Sequence, residues 1–406
     1  MGLCKTTPLQ SGRMGTLWCL SGIRESAVVE YGCMGHMVYG RTFLHRLGSQ
    51  ESRLYSTHIG EAEITMGDTD RLKRAIAHVS GMDGLRAIFL LASSTPEVAG
   101  VDLEAAASEL SVEFPDIPLI PMGTGGFDRT VNEGVEEALL QLAKHFPKPT
   151  ERTGKPSFNL IGSCADIYRF GPDAMELARI VEGAFHADLL CCMTSDTSIS
   201  ALERMGTAHF NLVLRREGVA AAEHLKKQFG TPWLYARPYG IQGTVDWVRQ
   251  AEKRLNLTVD RGFLDTEVRS ALEQTQPLLT ALSRYLHIHT MDSRLVLCGH
   301  GDVVSGIAQY GEHELGFAEI ACYCDDPGMA TPEMVYLTDE RKEMLSRREG
   351  GFLMASGELL QMAGKDRTLQ ISLPDDQWHH RYEPPFVGFH GAVHLLTMLA
   401  NDMQRH

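Results

Sequence analysis

Three times along this chain a strand-length apolar run ends in a loop, passes into a helix-period run and returns to another apolar strand. That alternation limits the fold more than any other feature. From residue 86 it reads RAIFLLASS, GVDLEAAASELSVEF, IPLIPMGTGGF and NEGVEEALLQLAKHF. It restarts at FNLIGS and runs through PDAMELARIVEGAF, ADLLCCM, SISALERM, FNLVL, GVAAAEHLKKQF and PWLYA. A third round opens at SRLVLCGHGD and continues with VVSGIAQYGEHE, FAEIACYC, GGFLMAS and TLQISL. Strands that are apolar on both faces, each followed by a helix, belong in parallel sheets covered on both sides. The expected fold class is therefore α/β, with three Rossmann-like doubly wound domains. The linker FPKPTERTGKPS ends the first domain near residue 150. The second then spans 151–258, and the third, 259–406, includes a connecting helix and a closing helix over GAVHLLTMLANDMQ. A single long helical stretch is expected over about residues 243–287.

Such sheets bind ligands in the crevice beyond the carboxyl ends of their strands, so the loops after strands carry the interest. Acidic and basic residues are interleaved and the net charge is −14, which excludes nucleic acid or an anionic membrane as a main partner. No apolar run approaches the roughly 18 residues of a membrane span, and the N-terminus has no charged-then-apolar leader. The chain reads as soluble and cytoplasmic, although MGLCKT fits the pattern for N-terminal acylation. Nine cysteines, an odd number, fit a reducing compartment in which thiols pack or bind metal.

No GxxxxGK[ST] occurs, and neither GHGDVVSG nor GTGGF completes a nucleotide fingerprint, so nucleotide hydrolysis is not expected of this chain. The thiols sit in four places. Cys19, Cys191 and Cys192 lie in apolar runs where cysteine behaves as a small hydrophobe. Cys298 with His300 closes one strand of the third domain, and Cys322 with Cys324 closes the next. Thiolates converging at adjacent strand ends would suit zinc or an iron–sulfur cluster, and buried packing is the alternative. The pairs His287 and His289, His379 and His380, and His390 and His394 fit solvation or packing better than ligation. Glu30, Asp128, Asp166 and Asp302 stand near strand ends, where a carboxylate can do acid–base work or simply cap a helix. For Asp302 the helix that follows GHGD favours capping.

Taken in order, GCMGHMVYG, LYSTHIGEAEITMGDTDRLKRAIAHV, RAIFLLASSTPEVAGVDLEAAASEL and IPLIPMGTGGF resemble the first domain of nitrogenase component 1 and its relatives. FNLIGS, HFNLVL, KKQFGTPWLYARPYGIQGTVDWV, RLVLCGHGDVVSGIAQY and PPFVGFHGAVHLLTMLAN resemble the second domain, the third and the closing helix. The resemblance covers nearly the whole chain. It implies three Rossmann-like domains and pairing with a homologous component 1 subunit, as a homo- or heterodimer or a heterotetramer. It also implies electrons supplied by an ATP-hydrolysing iron–sulfur reductase protein, which agrees with the missing phosphate loop.

In that family the opening loop reads roughly His-Gly-Pro-x-Gly-Cys, and its last residue ligates an interfacial iron–sulfur cluster. Here Tyr31, Gly32, Cys33, Met34, Gly35 and His36 occupy those places, so the thiol sits at the proline position and an imidazole at the ligand position. Cys4 is the natural match to a second family ligand, and Cys19 a poorer one. The third family thiol is replaced by Ser94 or Thr95. The resemblance therefore implies Cys4 and Cys33 as ligands of a four-iron cluster shared between two subunits, with His36 as an auxiliary ligand or proton donor. The alternative is a subunit that has lost the cluster and keeps Cys33 for packing. The family's cofactor ligands in the second and third domains have no clear match. Cys164 is the nearest thiol by position, and His300, Cys322 and Cys324 can line the same cleft, where a second metallocluster or a tetrapyrrole would sit. A nitrogen-reducing subunit does not fit this ligand set. The expected function is a subunit of a nitrogenase-like two-component oxidoreductase. The alternatives are a scaffold for metallocluster or tetrapyrrole assembly without turnover, and a silent structural subunit.

Overall fold

The computed structural model describes residues 10–46, 53–123, 129–149, 151–152, 154–364, 368–373 and 383–403. The described chain opens with helix α1 (Gly12–Ser21) and the short strand β1 (Ile23–Arg24). Strand β2 (Ser26–Tyr31), helix α2 (Met34–Arg46), strand β3 (Leu54–Ser56) and helices α3 (Glu61–Met66) and α4 (Asp70–Ser80) follow. Then come β4 (Ala87–Ala92), α5 (Ser94–Val98), α6 (Leu103–Glu113), β5 (Leu119–Pro121) and α7 (Val131–His145). The strands make a four-stranded sheet in the order β3-β2-β4-β5, every pair parallel. All six residues of β2 and all six of β4 are buried; β4 is apolar throughout, as a strand covered on both faces requires, while β2 also buries Ser26 and Glu30.

The next sheet is built from β6 (Ser157–Ser163), α8 (Phe170–Phe185), β7 (Asp188–Thr194), β8 (Thr197–Ser198) and α9 (Ile199–Arg204). It is completed by β9 (Phe210–Val213), α10 (Val219–Phe229) and β10 (Trp233–Tyr235), in the order β10-β9-β6-β7, again parallel. Strand β8 leaves this sheet to pair with β1, in register Ile23 with Thr197. A third parallel sheet, β13-β12-β11-β14-β15, follows two long helices. These are α11 (Ile241–Leu255) and α12 (Arg261–Ile288). Its elements are β11 (Arg294–Gly299), α13 (Gly301–Tyr310), β12 (Glu319–Cys324), β13 (Met334–Tyr336), α14 (Asp339–Ser346), β14 (Phe352–Ser356), α15 (Gly357–Ala363) and β15 (Thr368–Ser372). Helix α16 (Gly388–Met403) packs against α12 and α8.

The expected α/β class with parallel sheets is what the molecule adopts. One expectation is corrected: the helical stretch at 243–287 is two helices. Asn256 ends α11 in the left-handed region at φ 54°, and the Asp260 carboxylate, accepting from the Phe263 N–H, starts α12 afresh.

Two devices hold the sheets together. Helices α1 and α7 cross at backbone contact, since a Cβ on Gly134 would lie 1.9 Å from the Gly12 carbonyl oxygen. Asp173, in the first turn of α8, accepts from the Phe386 N–H at 2.7 Å and pairs with the buried Arg237. It thereby fixes the approach to α16. One apolar core is continuous from Phe158 through Leu295 and Phe352 to Leu396, so the second and third sheets share an interior. Among the described residues no helix is long and apolar enough to cross a membrane.

Candidate functional site

Three places gather chemistry, all at the carboxyl ends of strands. The first is the loop after β2. Glu30, the penultimate residue of that strand, is fully buried and its Oε1 accepts from Arg13 Nε at 2.8 Å. Burial pushes its carboxyl up, against the opposing pull of the Arg13 guanidinium. Gly32 donates its N–H to Thr57 Oγ1 at 3.0 Å, and a Cβ there would lie 2.3 Å from Ser93 Oγ. Only glycine lets this loop seat against the loop after β4.

Cys33 then carries a free, half-buried thiol, and α2 begins beside it with Met34 and Val38, 55% and 57% exposed. His36 lies in the first turn of α2, and its Nδ1 is buried with no hydrogen-bond partner among the described residues. Burial, aided by the nearby Arg13 charge, lowers its pKa, so the ring is the neutral, ligating form at neutral pH. The buried Ser93 Oγ is likewise without a partner, and Ser94 opens α5 next to it. A half-buried thiol, a neutral imidazole and hydroxyls beneath the exposed Met34 and Val38 fit a share of a metal cluster's ligands but not a full set.

The second place is a buried polar network where the ends of β6, β9, β11 and β12 meet. Arg215 is 1% exposed and holds both oxygens of Asp166 at 2.7 Å through Nη1, and Glu217 at 2.8 Å through Nε. Glu217 Oε1 lies 3.1 Å from His300 Nε2. His300 Nδ1 accepts from the Asp302 N–H at 3.3 Å, which caps α13. Asp302 accepts from the Arg216 N–H and from the Tyr235 hydroxyl. Asn132 of α7 donates to Asp326 at 2.5 Å, so all three sheets are tied at this point.

Glu217, His300 and Asp302 are close enough for their donor atoms to share an ion. Those atoms are already engaged with one another and with Arg215. Burial opposes the charge on Glu217, yet Arg215 and His300 hold its carboxyl well below the usual range. Burial likewise opposes charging His300, and Glu217 outweighs it, so the His300 pKa is raised. A raised histidine pKa stabilises the fold below the unfolded value of about 6.5 and loses that contribution as pH rises through the folded value. Thermal unfolding midpoints are therefore expected to fall over that window in wild type. The decline should be shallower in His300→Gln; identical profiles would contradict this.

The third place is a cavity of ≈ 500 Å³ opening beyond the ends of β6 and β7, between α8 and α9. Tyr168, Phe170, Met175 and Leu189 give it apolar walls, and Cys192 and Arg169 reach it as well.

The structure distributes the residues expected from sequence as follows. Cys33, His36 and Ser94 fall at the ends of β2 and β4, while Cys4, Asp128, His379 and His380 lie outside the described residues. Cys164 is buried, its Sγ 3.5 Å from Cys19 Sγ. Cys191 is buried and pushed up to about 12 by burial, an inert thiol as expected. Cys298 and the pair Cys322 and Cys324 do not converge. In β11 and β12, Leu297 pairs with Cys322 and Cys298 with Tyr323. The two-residue pleat therefore sends Cys298 into the core against Leu353 and turns Cys322 and Cys324 to the opposite face. Burial raises Cys298 and Cys322, and lifts Cys324 to about 11, so these thiols stay protonated. Asp302 does not cap α13: His300 does, and Asp302 joins the second and third sheets instead. His287 and His289 are exposed, while His390 pairs with Glu176 and His394 stacks on Phe386. Arg13, Arg169, Arg215 and Glu217 were not singled out from sequence. For Arg215 and Glu217 the one signal was RRE directly after an apolar strand, where charge in a buried crevice must be paired; Arg13 and Arg169 had none.

The family model described as nitrogenase component 1 type oxidoreductase matches residues 11–404. One component of the light-independent protochlorophyllide reductase of Cereibacter sphaeroides is 27% identical over 355 residues, covering 79% of this chain and 65% of that protein. The corresponding component of the enzyme from Roseobacter denitrificans is 26% identical over 274 residues, covering 65% and 50%. The chain thus spans about half to two thirds of the length of these relatives. A solved structure titled "Nitrogenase Cp1 at pH 6.5" superposes with a TM-score of 0.79 at 16% identity, over 100% of this chain and 95% of that one.

Proposed function

We propose that this chain, which belongs to the nitrogenase component 1 type oxidoreductase family, acts as one subunit of a two-component reductase. In this reading it pairs with a second component 1 type subunit and takes electrons from an ATP-hydrolysing iron–sulfur reductase protein. It passes them to a substrate held in the cavity beyond β6 and β7. The observation that carries the reading is the loop after β2, where the half-buried Cys33 thiol and the buried, unpartnered His36 Nδ1 lie beside the exposed Met34 and Val38.

Two ligands per chain are half of what a four-iron cluster needs, so a second subunit facing this edge completes it. Cys33 and Cys4 are the proposed thiolate ligands, with His36 auxiliary. Bound there, a cluster supplies one-electron storage. Gly32 and Ser93 hold the loop in place, and the neutral His36 ring can ligate or carry a proton. Tyr168 and Phe170 keep water from the substrate cavity. The name of the relatives, protochlorophyllide reductase, supports a tetrapyrrole as the substrate class.

A second reading, an assembly scaffold without turnover, is favoured by the family resemblance, which puts Ser94 or Thr95 in place of a third thiol of the ligand set. One experiment separates the two. Reduced reductase component and MgATP are mixed anaerobically with the chain and its partner subunit, and reoxidation of the reductase is followed optically. Reoxidation that requires the chain is expected. No reoxidation, with transfer of a metallocluster to an apo-enzyme, would replace the first reading with the second.

A further inference from the structure

The cavity beyond β6 and β7 has one polar group that its own walls leave incomplete. Arg169 sits at φ 65°, in the left-handed region, at the start of α8, and its side chain lines the cavity. Its side chain is 10% exposed. The guanidinium lies 5.0 Å from the Tyr168 ring centroid and 5.4 Å from that of Phe386. Nη1 pairs with Glu383. Nε is buried and has no hydrogen-bond partner among the described residues.

A buried, unsatisfied donor costs about 1–3 kcal/mol, and more when charged. The Nε edge of a guanidinium is also one of the faces that receive a carboxylate through two parallel hydrogen bonds. Two aromatic rings fix the plane of this fork, so little side-chain freedom is lost on binding. The cavity in front of it is walled by Phe170, Met175 and Leu189. Arg204, at the rim, has no ion-pair partner among the described residues.

We infer that Arg169 is the anion anchor of this cavity and that the cavity takes a rigid apolar ligand carrying a carboxylate. The apolar body fills the space between α8 and α9, and the carboxylate docks on Arg169 beside or in place of Glu383. Arg204 adds long-range attraction at the mouth. The inference deepens the reading of the cavity as the substrate chamber and rests on it, but binding here needs neither a cluster nor electron flow.

The test is fluorescence titration of the full chain with 1-pyrenebutyrate and with its neutral methyl ester. Wild type is expected to bind the acid about tenfold more tightly than the ester, a preference equivalent to about 1.4 kcal/mol. Arg169→Gln should bind both equally, and Arg169→Lys should keep part of the preference. Glu383→Gln removes the competing carboxylate and should tighten binding of the acid alone. Circular dichroism of each variant checks that it is folded. Equal affinity for acid and ester in wild type, an acid preference surviving in Arg169→Gln, or binding of neither probe would overturn the inference. Failure here with intact reoxidation of the reductase would leave the electron-transfer reading standing, and the reverse result would isolate the fault there.

Discussion

Arg215→Met is expected to lower the unfolding free energy by about 3–5 kcal/mol, the range for removing one partner of a buried ion pair. The reason is what it leaves behind. Asp166 and Glu217 side chains are each 4% exposed, and both depend on this one guanidinium. Without it two carboxylates face each other in a crevice that water hardly reaches. One oxygen of Glu217 would keep His300, while Asp166 would lose its bidentate partner. Arg215→Lys should fall between wild type and Arg215→Met, because an ammonium cannot satisfy two carboxylates in one plane. The triple variant Arg215→Met, Asp166→Asn, Glu217→Gln should recover much of the loss, since it removes the stranded charges as well. Urea unfolding reads all three. A single-variant loss below about 1 kcal/mol, or a triple variant no more stable than the single, would show that this network does not hold the sheets together.

The parallel strands were legible because burial on both faces leaves an uninterrupted apolar run, as in AIFLLA of β4 and RLVLCG of β11. Helix boundaries were less legible than the strands, even where caps were present. Asn256 and Asp260 carry the break between α11 and α12, but the helical period on either side masks it. The loop after β2 was read through resemblance, and its glycine has a physical reason in the clearance to Ser93.

Register was not legible. Whether Cys298 meets Cys322 depends on a one-residue offset between β11 and β12 that no local pattern encodes. The Arg215 network was hidden for a related reason. Its members are separated by up to 194 residues, as in Asn132 with Asp326, and only the meeting of three sheet ends brings them together. Arg169 was missed because a left-handed residue at a helix start has no local signature when it is not glycine.

In the proposed reading the loop after β2 supplies cluster ligands at a subunit edge. Its most sensitive residue is Cys33, the one thiol described on that edge. Cys33→Ala should leave the fold intact, because the side chain is only half-buried, and should abolish cluster binding, because a four-iron site tolerates no loss from so small a set. The deciding measurement is iron and acid-labile sulfide on anaerobically purified chain with its partner subunit. EPR before and after dithionite is recorded on the same wild-type and Cys33→Ala samples. About two iron atoms per chain, a reduction-dependent signal, and loss of both in Cys33→Ala are expected for a four-iron cluster shared by two chains. Folded, paired wild-type protein without iron, or iron retained in full by Cys33→Ala, would contradict the account.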